Sequence, residues 1–171
     1  GALLLCLACL STAAVAAGPD DPAALALELF ADGRWQACRT ECLRRRASGS
    51  ENAHLRLLQT VSGLRLGRDE RAPLRKLAQA TVPPPVRAMA RYELGRDLWR
   101  RGSYAEAFDL LRRVFLNAPT RDLFLRAGCS LQLLIEDNAS GLDPAPGLRH
   151  QLDTCRALWP RALIRECRVR T

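Results

Sequence analysis

The sequence predicts an all-α fold of antiparallel helical hairpins, and three observations carry that expectation. The segment Glu93 to Pro119, ELGRDLWRRGSYAEAFDLLRRVFLNAP, reads as two amphipathic helices joined by a tight turn. Gly33, Gly67 and Gly102 recur at intervals of 34 and 35 residues, a period that marks stacked helical units. No stretch alternates β-branched residues with period two, and aromatic residues make up only 5% of a chain that is 48% hydrophobic, so strands have little claim on it.

The first hairpin is expected in ALALELFADGRWQACRTECLRR. Leu25, Leu29 and Phe30 form the inward stripe of its first helix, Gly33 makes the turn, Trp35 follows it and Cys38 takes a packing position in the second helix. The second unit, HLRLLQTVSGLRLGRDERAPLRKLAQATVPPP, keeps its turn at Gly67, an alanine at Ala72 and a closing proline run, but places Gln59 and Lys76 where apolar residues are wanted. In the third, Leu94, Leu98 and Trp99 share one stripe and Gly95 permits close backbone approach. The Gly102-Ser103-Tyr104 turn reverses the chain, and Ala107, Phe108, Leu111, Val114 and Phe115 recur at helical spacing. Pro119 stops that helix. A further helix is expected from Thr120 to about Glu136, followed by a loop over Asp137 to Gly147 rich in Asn, Ser, Gly, Asp and Pro. Helices from about Leu148 to Leu158 and from Arg161 to Val169 complete three to four hairpins, the last of them capping the stack.

The Glu93 to Pro119 unit resembles a tetratricopeptide repeat. The likeness rests on the Leu94-Gly95 pair, Gly102 before the turn, Tyr104 after it, the packing alanine Ala107 and the terminal Pro119, with Trp35 and Cys38 in the equivalent places of the first unit. The family's early tryptophan position is Arg91 here. The resemblance implies a solenoid whose first helices line a groove for a segment of a protein partner. Arg91, Arg96, Asp97 and Arg100 would then lie on or beside that groove, with arginine suited to bidentate recognition of carboxylates.

Residues 1–17 carry no charge, are dominated by Leu and Ala, and end in Ala13-Ala14-Val15-Ala16-Ala17. They read as the apolar and cleavage regions of a secretory signal peptide, cut after Ala16 or Ala17, in a sequence expected to start inside its reading frame. The run is slightly short for a membrane span of about 20 residues. An uncleaved anchor or a lipoprotein is the alternative, although Cys6 and Cys9 match a lipobox poorly. The expected location is therefore periplasmic or attached to the cell envelope. The helical repeat domain is 18–171.

Export exposes Cys38, Cys42, Cys129, Cys155 and Cys167 to an oxidising compartment. Cys38 and Cys42 stand four apart on one inward helix face, where buried thiols act as small hydrophobes. The preferred bridge joins Cys129 to Cys155, with Cys167 as the odd thiol or a competitor for Cys155. A C-x3-C spacing with only His54 and His150 as further strong ligands resembles no zinc site, so no metal is expected. Nor is there a C-x-x-C pair, a phosphate-cradling glycine loop, a G-x-S-x-G elbow or an H-E-x-x-H, and neither an enzymatic activity nor a cofactor is expected.

The remaining signal is charge. Lys and Arg number 26 against 18 Asp and Glu, a net charge of +8, and Lys76 is the only lysine. Such a balance attracts acidic peptides or anionic lipid headgroups. The clusters are Arg44-Arg45-Arg46, Arg100-Arg101, Arg112-Arg113 and Arg161 to Arg170. Nucleic acid is disfavoured by the export signal and the lack of interleaved aromatic platforms. Two functions follow as expectations. One is a non-enzymatic protein-interaction scaffold of the bacterial envelope. The other is a membrane-associated accessory of an envelope assembly or a membrane-protein insertion factor, its basic face toward anionic lipid.

Overall fold

The computed structural model describes residues 23–49, 52–138 and 141–168. The expected signal segment 1–17, with Cys6 and Cys9, lies outside them. Among the described residues the chain is all-helical: α1 (Ala24–Ala31), α2 (Trp35–Ala47), α3 (Ala53–Arg65), α4 (Arg71–Gln79), α5 (Pro84–Arg100), α6 (Tyr104–Leu116), α7 (Arg121–Asp137), α8 (Pro146–Arg156) and α9 (Arg161–Cys167). They fall into two compact units, Gly1–Ala90 and Arg91–Thr171.

The periodic glycines do what their spacing predicts. Gly33, Gly67 and Gly102 have φ of 71°, 76° and 78°, a region that costs a side chain but not glycine. Each turn repeats the same pair of bonds. The glycine N–H reaches back three residues, to Phe30, Leu64 or Trp99, and the next N–H reaches back five, to Leu29, Gly63 or Leu98. That is the Schellman arrangement, which satisfies carbonyls the helix end would leave open. Side-chain caps start two later helices: Asn52 accepts from the His54 N–H of α3 and Thr120 from the Leu123 N–H of α7.

In the first unit, contacts equidistant from a turn show that the helices fold back on each other. Phe30 and Trp35 meet edge to face with centroids 5.0 Å apart, and the Cys38 thiol donates to the Ala26 carbonyl at 3.3 Å. The buried stripe of α1 is Ala26 and Phe30, whereas Leu25 is 43% exposed. The expected inward position of Leu25 is thus corrected: Ala26, lacking bulk, is what lets the helices approach at Cys38. α3 supplies the densest core, with Leu55, Leu57, Leu58, Val61 and Leu64 buried. α4 buries Leu74, Leu77 and Ala78, leaving Ala72 exposed. Ala72 is therefore not a packing alanine. The prolines expected to close this unit instead open α5 at Pro84, where the first turn tolerates a missing N–H.

In the second unit the end of α5 folds back on α6. A Cβ on Gly95 would stand 3.1 Å from Leu111 Cγ, and Ala107 and Leu111 are fully buried. Leu94 and Trp99 are buried too, Tyr104 is half-buried at the start of α6, and α6 ends at Leu116, just before Pro119. α6 packs along α7, which also touches α8 and α9. Phe115 stacks on Phe124 with centroids 4.7 Å apart, and Gly128 lies directly beneath its ring.

Gly128→Ala measures how tight that contact is. Its Cβ would sit 2.9 Å from Phe115 Cε2, in a ring already held by Phe124. Overpacking of about 1–3 kcal/mol outweighs the helix-propensity gain of about 1 kcal/mol. Urea unfolding is expected to show a net loss of about 1 kcal/mol, while Gly95→Ala, which meets a yielding leucine, stays close to neutral. A stabilised Gly128→Ala variant would contradict this packing.

Candidate functional site

The first unit contains a cleft of about 290 Å³ lined by α2, α3, α4 and the residues that follow. Its polar wall comes from Arg46, Arg56, Gln59, Thr60 and Lys76, and its apolar floor from Ala72, Pro73, Leu77, Ala80 and Val82. Helical periodicity puts Arg56, Gln59 and Thr60 on one face of α3, and Ala72, Pro73, Lys76 and Leu77 on one face of α4.

Arg46 is the centre of the site. Of the run Arg44-Arg45-Arg46, the first two turn back to Glu41: Arg44 grips it with Nε and Nη2 at 2.8 and 2.7 Å, and Arg45 Nε adds a third bond at 2.7 Å. Those arginines hold the Glu41 carboxyl down at about 2, well below the usual carboxylate range. Arg46 points the other way, donating from Nη1 to Gln59 Oε1 at 2.8 Å. Its Nε is buried without a hydrogen-bond partner. Glu70 is the one acid of the lining; it is mostly buried and lies 3.8 Å from Arg39. It occupies the space left by Gly63, where a Cβ would overlap its carboxylate. With Arg46, Arg56 and Lys76 against Glu70, the cleft is net positive.

Sequence reasoning placed the binding face elsewhere, on Arg91, Arg96, Asp97 and Arg100. Arg96 and Asp97 are 9% and 3% exposed. Arg96 lies over the Tyr92 ring and donates from Nη2 to the Glu166 carbonyl at 3.0 Å, so it holds α9. Asp97 accepts from Arg101 Nε at 2.8 Å and has Arg100 at 3.7 Å. Arg91 and Arg100 remain half-exposed. The expected groove residues are therefore largely committed within the fold. Gln59 and Lys76, by contrast, were visible as breaks in the repeat pattern, and both line the cleft.

The cysteines also fall differently. All five described thiols are free and buried. Cys129 lies one turn after Arg126, whose carbonyl accepts from the Cys167 thiol at 3.7 Å. Cys155 instead lines a shallow apolar groove of about 500 Å³ with Phe115, Leu116, Phe124, His150, Gln151 and Thr154. Among the described residues no group of three or more His, Cys, Asp or Glu side chains is placed to hold a metal, and no helix is long and apolar enough to cross a membrane. Comparison with protein-family profiles, curated proteins and solved structures finds no match.

The fork at Glu41 has a pH signature. A carboxyl held at about 2 in the fold, against 4.5 for the free group, contributes stability that is complete above pH 4.5 and lost as pH falls through about 2. Arg44 is 62% exposed, so solvent screening keeps the contribution at pH 7 small. Unfolding midpoints of the wild type and Glu41→Gln are expected to differ at pH 7 and to converge near pH 2. A difference unchanged across that range would contradict the assignment.

Proposed function

We propose that this chain is a non-enzymatic protein-interaction scaffold exported to the bacterial envelope. In this reading its hairpins stack in a tetratricopeptide-like solenoid, and the cleft of the first unit takes a partner segment that carries a carboxylate beside an apolar side chain. The observation that carries it is the Arg46 guanidinium, held by Gln59 in a cleft whose lining also includes Ala72, Pro73, Leu77, Ala80 and Val82. A carboxylate entering the cleft gains a charge-assisted hydrogen bond from a guanidinium already held in place. Lys76 and Arg56 at the rim add charge attraction. The volume, about 290 Å³, lies at the lower edge of small-ligand pockets, which suits side chains of a segment better than a whole cofactor. Export rests on the charge-free Leu/Ala run at residues 1–17.

Fluorescence polarisation with short peptides pairing Asp or Glu with Leu, against the same peptides carrying Asn or Gln, tests the reading. Acidic peptides are expected to bind and to weaken as salt rises. Lys76→Glu and Arg46→Ala are each expected to weaken binding about tenfold, equivalent to about 1.4 kcal/mol. Equal binding of the amide peptides, or affinity unchanged in both variants, rejects it. Flotation with anionic vesicles checks the membrane alternative: a cleft binder stays in the soluble fraction, whereas flotation lost in Lys76→Glu transfers the basic face to lipid.

A further inference from the structure

We infer that Cys129 and Cys167 are a disulfide site that fastens α9 to α7. The five described thiols sit in three environments. Cys38 and Cys42 are one turn apart on α2, so their Cβ atoms project along the same face. A bridge within one helix departs from disulfide geometry, and these two remain packing residues. Cys155 lines the apolar groove of the second unit.

Cys129 and Cys167 differ from the other three. They come from different helices that pack together, 38 positions apart in sequence, and are 1% and 0% exposed. Cys167 Sγ also reaches the Arg126 carbonyl at 3.7 Å and the Tyr92 hydroxyl at 4.0 Å, and that hydroxyl is 3.3 Å from Ser130 Oγ. Cys167 is thus seated on the Arg126 to Ser130 turn of α7, the turn that carries Cys129. The neighbouring residue fixes the same register, because Glu166 pairs with Arg126 through its carboxylate and with Arg96 through its carbonyl. Both thiols are covered, but Cys167 is the last residue of a seven-residue helix, and local opening of so short an element admits a reagent.

The pair also has an order of attack. The Cys129 thiol, aided by the Ser130 hydroxyl, the Arg96 guanidinium and the Tyr92 hydroxyl, brings Cys167 down to about 7 against the opposing effect of burial. The same contact and burial push Cys129 up. The Arg126 carbonyl favours the neutral Cys167 thiol, but it is one acceptor against four stabilising groups. With oxidised glutathione, the Cys167 thiolate attacks one sulfur, the glutathione S–S bond breaks and one glutathione leaves as thiolate. That thiolate takes the Cys129 proton, and Cys129 then attacks the Cys167 sulfur of the mixed disulfide, releasing the second glutathione thiolate, which takes a proton from water. Two protein thiols are oxidised and one glutathione disulfide is reduced to two thiols.

The test is independent of the cleft and of any binding partner. The full chain, reduced and then incubated with oxidised glutathione at pH 8, is alkylated, digested without reductant and mapped by mass spectrometry. The expected product links the Cys129 and Cys167 peptides and leaves Cys38, Cys42 and Cys155 alkylated. Closing a loop of this length is expected to raise the melting temperature by about 10 °C. Cys155→Ser is expected to keep both the cross-link and the rise, and Cys129→Ser to lose both. A cross-link to Cys155, glutathione adducts without a cross-link, or a melting temperature unchanged by oxidation overturns the inference; the wild-type map decides the pairing even if a variant fails to fold.

Discussion

Close approach of helices through side chains no larger than a thiol is the constraint on which the described structure rests. Cys38 meets the Ala26 backbone, Gly63 makes room for Glu70, Gly95 accepts Leu111 and Gly128 lies under Phe115. The Ala26–Cys38, Gly95–Leu111 and Gly128–Phe115 contacts each bring two helix backbones together. A larger residue at Gly128 would press on the Phe115 ring and separate that pair, whereas the leucine facing Gly95 can yield. The cleft inherits this constraint directly, because Glu70 reaches the core of the first unit only through the space that Gly63 leaves. Interior packing at crystal-like density offers no slack to absorb such a change.

Charge is organised with the same economy. A net charge of +8 suggests a diffusely basic surface, yet many arginines are already engaged. Glu41 takes Arg44 and Arg45, Asp97 takes Arg101 and lies near Arg100, and Asp122 and Glu166 both hold the buried Arg126. What distinguishes Arg46 is its direction, set by a polar Gln59 where a repeat would carry an apolar residue. The positive field thereby concentrates beside an apolar floor. On the proposed reading, that juxtaposition would suit a mixed acidic and apolar segment better than anions in general.

Local features were legible in the sequence because they have local causes. The three turns follow from glycine at positive φ, and α7 begins beside Thr120, where a helix was expected to start. Register was less legible. Leu25 faces outward and Ala72 is exposed, because which face of a short helix is buried depends on the neighbour, not on the helix alone. Prolines read as an ending became the start of α5, since proline is compatible with both. Arg96 could not be placed from its own helix, because Glu166, seventy residues later, supplies the carbonyl that buries it. The approach of Cys167 to the Cys129 turn was illegible for the same reason: α9 returns to α7 through contacts that leave no local pattern. The cleft was half visible, in the two residues that broke the repeat.

The central claim is that recognition belongs to the degenerate second hairpin and not to the hairpin that best preserves the repeat. Backbone amide shifts of the full chain, titrated with an acidic Leu-containing peptide, test it most directly. The predicted perturbations cluster at Gln59, Thr60, Lys76 and Leu77 and saturate with the peptide. Perturbations centred on Arg91, Arg96 and Arg100, with the cleft residues unmoved, would contradict it.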